Sequence, residues 1–350
     1  MKTLETERLI LRKYVENDFQ AVHSHGSCAE NIIYMPFGPN TEEQTKEFID
    51  RSIKKAEENP IVHYQYAVVL KESGALIGGC GINLSDISGD EAEVGWLVHR
   101  DYWKQGYGSE MGKELLRFGF DEMKLHRIIA RCDAENIGSY RVMEKLGMRR
   151  EGLFIEGRPA HKFSGKKYGD ELLYAILSDE WETQKEIAYY KTLPVVFDGF
   201  IELPELADGV IHLVCTAKKP ANPEKKYCAA YDFATCKGSE MIGEINLRIG
   251  YSGFDPDESS LFYGGQIGYS IDEKYRGNGY AVRACRLLAP VAKAHGMKKL
   301  LITNNQTNTA SRRVCEKLGA RFVRLARLPE WHDLYIEGQR FMNIYEWSMD

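Results

Sequence analysis

The stretch of sequence that decides the fold is Val-Gly-Trp-Leu-Val-His-Arg-Asp-Tyr-Trp-Lys-Gln-Gly-Tyr-Gly, residues 94–108. A similar stretch, Ile-Gly-Tyr-Ser-Ile-Asp-Glu-Lys-Tyr-Arg-Gly-Asn-Gly-Tyr-Ala, occupies residues 267–281. In each, a short apolar run typical of a strand leads through a glycine-bearing loop into a segment with helical apolar spacing. Small residues at a helix start let an anion approach unpaired N–H groups closely. Both stretches therefore predict strand, loop and helix around a phosphate site.

The similarity extends outward from these two stretches. Asn-Ile-Gly-Ser-Tyr-Arg-Val-Met-Glu-Lys-Leu-Gly at 136–147 matches Asn-Thr-Ala-Ser-Arg-Arg-Val-Cys-Glu-Lys-Leu-Gly at 308–319, and 76–84 resembles 241–249. Three blocks of similar sequence therefore occur in the same order in both halves of the chain, separated by a nearly constant number of residues. A repeating unit of half the chain is too long for a solenoid repeat, so the blocks indicate a duplicated domain.

The 350-residue length also favours two domains over one. We predict a first domain over 1–182, a linker over 183–204 and a second, shortened domain over 205–350. The first copy has room for helices over 16–26 and 41–59. In the second copy the strand at 211–217 is followed after only ten residues by another, which leaves no space for the two helices.

Composition restricts the classes of function. Hydrophobic residues make up 43% and charged residues 28%, as in a globular protein, and the net charge of −5 offers no general basic field for nucleic acid. No 18-residue apolar run and no apolar leader occur, so we expect neither membrane insertion nor secretion. The eight cysteines form no Cys-x-x-Cys pair and the nine histidines show no metal-ligand spacing. We therefore expect a cytoplasmic protein without a metal.

Other phosphate-binding motifs fit the loop less well. The segment Gly106-Tyr-Gly108-Ser-Glu-Met-Gly112 faintly resembles a dinucleotide-binding fingerprint, but the third glycine is replaced by Cys285 in the second copy. The preceding strand is also not the first strand of a βαβ unit. No Gly-Lys-Ser/Thr follows, which excludes a P-loop.

Arg276-Gly-Asn-Gly279-Tyr-Ala281 matches R-x-x-G-x-A, the acetyl-CoA motif of the GNAT superfamily of acetyltransferases, and the first copy has Trp103 in place of the arginine. The first copy resembles the RimJ/RimL branch, which acetylates ribosomal-protein N-termini. The likeness lies in ERLILR at 7–12, YMPFGP at 34–39, AEVGW at 92–96, 103–108, Asn136-x-x-Ser139, EKLG at 144–147 and DELLY at 170–174.

The resemblance implies an α/β (α+β) class: two tandem GNAT folds, each with a mixed, mostly antiparallel sheet flanked by helices, the second without the first two helices. It implies that two central strands diverge and that the pantetheine arm of acetyl-CoA inserts between them. The residues expected to bind the cofactor are Leu97, Val98, His99, Lys104, Gln105, Gly106, Tyr107, Gly108, Ser109, Asn136, Ser139, Ser270, Ile271, Arg276, Gly277, Asn278, Gly279, Tyr280, Ala281, Asn308 and Ser311. For Asn136 and Ser139, local helix capping is an equal alternative.

Acetyl transfer to an amine requires a base, because a free alkyl ammonium has a pKa of roughly 10. Glu93 is the candidate base, and a solvent-facing strand carboxylate is the alternative interpretation. The second copy has Gln266 at this position, which cannot take a proton, and Glu244 on the preceding strand is the alternative base there. The family often places a tyrosine that acts as the general acid just before Glu-Lys-x-Gly. Met143 and Cys315 stand at this position, which leaves the acid unassigned, with Ser139 or a water molecule as the candidate proton donor.

These features predict an N-acetyltransferase that uses acetyl-CoA and a primary amine, either a protein N-terminus or a small molecule. The aromatic loop 34–37 is a candidate wall for the acceptor. The alternative is an acetyl-CoA-binding protein in which one or both domains are non-catalytic. We expect no nucleic-acid or membrane partner, and a homodimer is left open.

Overall fold

Each copy of the repeat builds its own hydrophobic core. In the computed structural model, the chain divides into two units, Met1–Trp181 and Glu182–Asp350. The structure describes residues 1–35, 37–85, 89–160, 165–222, 224, 227–250 and 260–349. One core lies among the strands and helices of the first unit, with a smaller cluster beside it, and the other lies within the second unit.

The first unit contains one eight-stranded sheet. Its strands are β1 (Leu4–Glu5), β2 (Leu9–Arg12), β3 (His63–Leu70), β4 (Leu76–Leu84), β5 (Glu91–Val98), β6 (Arg127–Asp133), β7 (Arg149–Pro159) and β8 (Tyr168–Leu177). Its helices are α1 (Phe19–Gly26), α2 (Glu42–Lys55), α3 (Tyr107–Arg117) and α4 (Ile137–Lys145), and α5 (Ser178–Lys191) spans the boundary. The strand order is β1-β2-β3-β4-β5-β6-β8-β7, and only β5 and β6 pair in parallel.

Local signals explain the helix starts in the first unit. Helix α2 begins with a capping box in which the hydroxyl of Thr41 accepts from the amide of Gln44, and the Gln44 side chain accepts from the amide of Thr41. Helix α3 buries Met111, Leu115 and Leu116 against the sheet, as its helical apolar spacing predicts.

The second unit repeats the strand order of the first. Its strands are β9 (His212–Lys219), β10 (Ala230–Lys237), β11 (Glu240–Arg248), β12 (Ile267–Ile271), β13 (Lys299–Asn305), β14 (Arg321–Arg327) and β15 (Phe341–Ser348). Its helices are α6 (Ser260–Gly264), α7 (Tyr280–Ala294), α8 (Thr309–Leu318) and α9 (Asp333–Ile336). The strands form two sheets, β12-β11-β10-β9 and β13-β15-β14.

The predicted fold class is confirmed, including the loss of two helices. Strand β10 follows β9 after a short connection, and the described part of that connection, residues 220–222, 224 and 227–229, contains no helix. The sheet face that α1 and α2 cover in the first unit therefore has no equivalent helical cover along this connection.

The segment expected to be a linker, residues 183–204, packs with the second unit. Tyr190 on α5 is only 1% exposed, and its hydroxyl donates to the buried carboxylate of Glu346 at 2.8 Å. Beyond α5, Leu193, Val195 and Phe200 pack against the same core. The sequence pattern does not reveal this because α5 has polar residues on all sides, and no apolar stripe marks it as part of a core.

Removing the buried ring tests whether this segment contributes to the second core. We expect Tyr190→Ala to lower the free energy of unfolding of the second unit by about 3–5 kcal/mol, the usual cost of deleting a buried aromatic ring. The neighbouring Tyr189 is 43% exposed, so Tyr189→Ala should cost less than about 1 kcal/mol. Urea unfolding measures both. Equal, small losses would mean that 183–204 is a free linker.

Candidate active site

Two central strands separate in each unit and leave an open gap. Strand β5 pairs with β6 at only three positions, from Glu91 to Glu93, and its remaining residues pair with no strand on that side in the described part of the chain. In the second unit β12 and β13 belong to different sheets, and the amide of Gln266 donates to the carbonyl of Leu301 just before β12. Since backbone polar groups require partners, an extended ligand can complete such a gap.

The register of β5 determines which backbone groups face the gap. The amide of His99 donates to the carbonyl of Ile77 on the β4 side at 2.7 Å. Because backbone direction alternates along an antiparallel ladder, His99 and Leu97 face β4, whereas Trp96 and Val98 face the gap. Of the three backbone positions predicted to contact the cofactor, only Val98 faces the gap. The spacing of residues in the sequence does not determine which backbone groups of β5 face the gap and which face β4.

The second unit shows the same alternation. The amide of Asp272 donates to the carbonyl of Ile242 at 2.9 Å, so Ser270, which lies opposite Glu244 in the register, also faces β11. Ile271 faces the gap. The predicted position Ile271 is therefore placed toward the gap, and the backbone of Ser270 is not.

A glycine at equivalent positions of β4 and β11 lets each of these strands approach its neighbour, β5 or β12, closely. A Cβ on Gly78 would lie 2.1 Å from the carbonyl oxygen of Leu97, and a Cβ on Gly243 would lie 2.2 Å from that of Ser270. No side chain fits at either position without displacing the backbone of the neighbouring strand. This contact explains why the repeat places a glycine in both copies.

The loop after each gap ends in a helix whose first amides are uncapped. Gly106 and Gly279 are the N-cap residues of α3 and α7, with φ of 86° and 78°, and neither has a side chain that could occupy the first-turn N–H groups. Lys104 and Gly277 also have positive φ, at 59° and 84°. Uncapped amides and the positive end of a helix dipole suit a diphosphate. The residues present therefore fit the diphosphate of coenzyme A, and the remaining loop positions line the same turn: Gln105, Tyr107, Gly108, Ser109, Asn278, Tyr280 and Ala281.

Trp103 and Arg276 make the same contact although they differ chemically. The indole N–H of Trp103 donates to the carbonyl of Val98 at 2.7 Å, and Nε of Arg276 donates to the carbonyl of Ile271 at 3.0 Å. Each bond ties the loop to the end of the strand beside the gap. The Trp103 variant thus preserves the donor of the arginine motif, which a comparison of residue types does not reveal.

Arg8 supports the loop that leads into α3 in the first unit, and it was not identified from the sequence as a site residue. Its guanidinium donates to the carbonyl of Gln105 at 3.1 Å, pairs with Glu110 at 2.6 Å and lies over the ring of Tyr107. Burial acts to raise the pKa of Glu110, but hydrogen bonds from Thr6 and Arg8 hold it below its usual value. Arg8 therefore offsets a carboxylate that would otherwise repel a phosphate. The only sequence signal is its place in ERLILR.

Asn136 and Asn308 cap the helices that follow β6 and β13. Their side-chain oxygens accept from the amides of Ser139 and Ser311 at 3.1 and 3.0 Å, so the local capping interpretation holds for both asparagines. The hydroxyl of Ser311 also bonds the hydroxyl of Tyr269 at 2.9 Å. In the second unit this bond links β12 to α8.

Glu93 lies at the last paired position before the gap in the first unit. Burial raises the pKa of Glu93, and the nearby Glu171 and Glu91 add to this effect against the opposing charge of Arg131. A raised pKa is typical of a carboxylate that accepts a proton near neutral pH. Gln266, at the corresponding position, is fully buried.

The side chain of Gln266 joins backbone groups. Its amide oxygen accepts from the amide of Leu301, and its amide nitrogen donates to the carbonyl of Gly250 at 2.9 Å. Both ends of the side chain are thus engaged in holding the fold together. A residue used in this way has no capacity left for proton transfer.

A cleft of about 590 Å³ lies on the face of the first sheet that α1 and α2 cover. It reaches Gly95, Trp96 and Leu97 on β5, beside the gap. Met35 and Phe37 from the predicted aromatic loop line it, and Pro36 lies outside the described residues. Its volume is that of a small-molecule site. Glu93 is not among its lining residues, although it lies on the same strand as Gly95.

Comparison with known proteins identifies the family of this chain. The family model described as an acetyltransferase (GNAT) domain matches residues 8–149 and 215–321, more than half of the chain. The chain belongs to the GNAT acetyltransferase family, whose members use acetyl-CoA, and it contains the domain twice.

Individual relatives match about half of the chain. It is 40% identical over 179 residues to the uncharacterized N-acetyltransferase YnaD of Bacillus subtilis (51% of this chain, 98% of the relative). It is 31% identical over 182 residues to the uncharacterized N-acetyltransferase p20 of Bacillus licheniformis (52% and 99%). A crystal structure of a GNAT-family acetyltransferase from Bacillus anthracis is 38% identical, with a TM-score of 0.45, and covers 51% of this chain and all of that one. No helix in the described part of the chain is long and apolar enough to span a membrane.

The bond from Trp103 to Val98 can be tested by conservative replacement. Trp103→Phe keeps an aromatic ring but removes the N–H donor, so we expect acetyl-CoA to bind the first unit roughly 2- to 10-fold more weakly, the usual effect of one hydrogen bond. Trp103→Arg supplies the donor found in the second unit and should keep the affinity near that of the parent. Isothermal calorimetry with acetyl-CoA measures both. Equal losses of acetyl-CoA affinity in Trp103→Phe and Trp103→Arg would contradict a shared role of Trp103 and Arg276.

Proposed function

We propose that the first unit transfers the acetyl group of acetyl-CoA to a primary amine, on a protein N-terminus or a small molecule. The observation that carries the proposal is the meeting of three features at one strand. The gap beside β5 and the cleft under α1 and α2 both reach the segment from Gly95 to Val98, and the loop that leads to the uncapped start of α3 is bonded to Val98 through Trp103. A cofactor in the gap and an acceptor in the cleft would thus be aligned across this segment.

The residues of the first unit have distinct roles in this proposal. Acetyl-CoA supplies the activated thioester; the new C–N bond forms at its carbonyl carbon as the C–S bond breaks. The amides of Trp96 and Val98 face the gap and are suited to stabilise negative charge on the carbonyl oxygen. Glu93 takes the proton that the amine loses, directly or through water. Ser139 is the proposed donor to the departing thiolate, and it lies at the start of α4.

For the second unit we propose cofactor binding without acetyl transfer. Its phosphate loop has the same backbone geometry as the first, with Gly277 and Gly279 at positive φ. However, Gln266 replaces the base and uses both ends of its amide in the fold. The hydroxyl of Ser311, at the position of Ser139, also bonds the hydroxyl of Tyr269. These contacts favour the non-catalytic alternative for this half.

The proposal predicts which loop carries the activity. Gly106→Trp and Gly279→Trp place a bulky side chain at the phosphate position, so each should remove one of two acetyl-CoA sites by calorimetry. Only Gly106→Trp should abolish amine-dependent release of free thiol. Gly74 is a matched control, because it also has positive φ, at 70°, but lies in the turn between β3 and β4 with open space around it. Gly74→Trp should keep both sites and the activity. Full stoichiometry in both loop variants would contradict the proposed sites.

The raised pKa of Glu93 predicts a pH dependence. Only the carboxylate form can accept a proton, so kcat/KM should rise with pH through a pKa above the roughly 4.3 of an ordinary glutamate. Glu93→Gln should lower kcat/KM by a factor on the order of 10² to 10⁴ and remove this acidic limb. Profiles of kcat/KM against pH, with cofactor binding as a control, measure the effect. An unchanged acidic limb in the variant would rule Glu93 out as the base.

A further inference from the structure

One face of α2 presents a polar stripe to the cleft. Gln44, Glu47, Phe48 and Arg51 all line it, at helical spacings of three and four residues. The opposite face of α2 is buried and includes Thr45, Ile49 and Ser52. One wall of the cleft is therefore formed by a helix, from which the side chains of Glu47 and Arg51 extend.

Glu47 and Arg51 have the spacing of a helical ion pair but do not form one. On the same helix, Lys46 and Glu42 lie at 3.9 Å. Among the described residues, by contrast, Arg51 and Glu47 make no hydrogen bond or ion pair with each other or with any neighbour. Each charge is thus available to a ligand in the cleft, and a guanidinium binds a carboxylate through two parallel hydrogen bonds.

The other groups of the cleft add no net charge. His25 is 4% exposed, and its Nδ1 meets no partner at hydrogen-bond geometry. Burial, with a smaller effect from His99, lowers the pKa of His25 to about 4, so the imidazole is neutral near pH 7. Asn40 and Gln65 contribute neutral amides. The lining therefore offers one cation and one anion.

The presence of one positive and one negative charge in the lining favours some classes of amine acceptor over others. A polyamine carries several positive charges and would require an excess of carboxylates in the cleft, which the lining does not provide. A monoamine without an anionic group would leave the exposed guanidinium of Arg51 without a partner from the ligand, so it would use only one of the two charges. An acceptor that has one ammonium and one carboxylate matches both charges.

We propose that the acceptor of the first unit is a small amino carboxylate, that Arg51 binds its carboxylate, and that Glu47 attracts its ammonium group. The proposal rests on the proposed function of the first unit and specifies its substrate class. Arg51 is here a specificity-determining residue and takes no part in proton transfer.

The test compares matched acceptors with the full-length protein. Thiol release from acetyl-CoA is measured with the standard amino acids, their carboxamides, spermidine and a short peptide amide, and each rate is referred to the concentration of free amine. The expected result is a kcat/KM at least about 10-fold higher for one or more amino acids than for the corresponding carboxamides. In Arg51→Gln, KM for these amino acids should rise at least about 10-fold with kcat nearly unchanged, and the carboxamides should be unaffected. Arg51→Lys should recover part of the loss.

Lys54 provides the control for a general change in helix charge. It is exposed on α2 and lies outside the cleft lining, so Lys54→Gln should keep the parent kinetics. The proposal is overturned if kcat/KM is highest for spermidine or the peptide amide, or if Arg51→Gln changes KM equally for amino acids and their carboxamides. Either result leaves the acetyltransferase function in place. Absence of thiol release with every amine, from a protein that binds acetyl-CoA, overturns the proposed function and the inference with it.

Discussion

The separation of two neighbouring strands in the middle of each sheet is the constraint on which the rest of the structure depends. A strand that loses its neighbour exposes amides and carbonyls that need partners. In the first unit, the backbone of β5 beyond Glu93 is left open in this way, and the indole of Trp103 engages one carbonyl there. The close approach at Gly78 and the uncapped start of α3 surround the same opening. An extended thioester cofactor can satisfy the remaining groups.

Both copies keep the two separated strands, but the side chains around the gap differ between the copies. Trp103 and Arg276 bond equivalent carbonyls with different side chains, so backbone geometry was preserved while residue type was not. Glu93 and Gln266 occupy equivalent positions, but their side chains have different surroundings. The pKa of Glu93 is raised by burial, whereas Gln266 holds two backbone groups together. A common scaffold therefore supports a proposed catalytic unit and a proposed binding unit.

The acceptor side is where the two units differ most. In the first unit, α2 brings Glu47 and Arg51 into a cleft whose remaining lining is neutral. The second unit has no helix in the described part of the corresponding connection, and its groove of about 300 Å³ lies on an open sheet face. The proposed cofactor side is built mainly from backbone amides and glycines, which a family motif can encode. The proposed acceptor side is built from side chains on the first helices, which the motif does not include.

The sequence by itself determined the duplication, the glycine-bearing loops that lead into α3 and α7, and the loss of two helices, because these follow from local spacing, glycine positions and apolar periodicity. Only the tertiary structure decided that Val98 rather than Leu97 or His99 faces the gap, since this depends on the hydrogen-bond register with β4. It also decided the bracing of the loop by Arg8 and the packing of Tyr190 into the second core. These contacts join residues far apart in the chain, and no local pattern records which distant partner a side chain will meet.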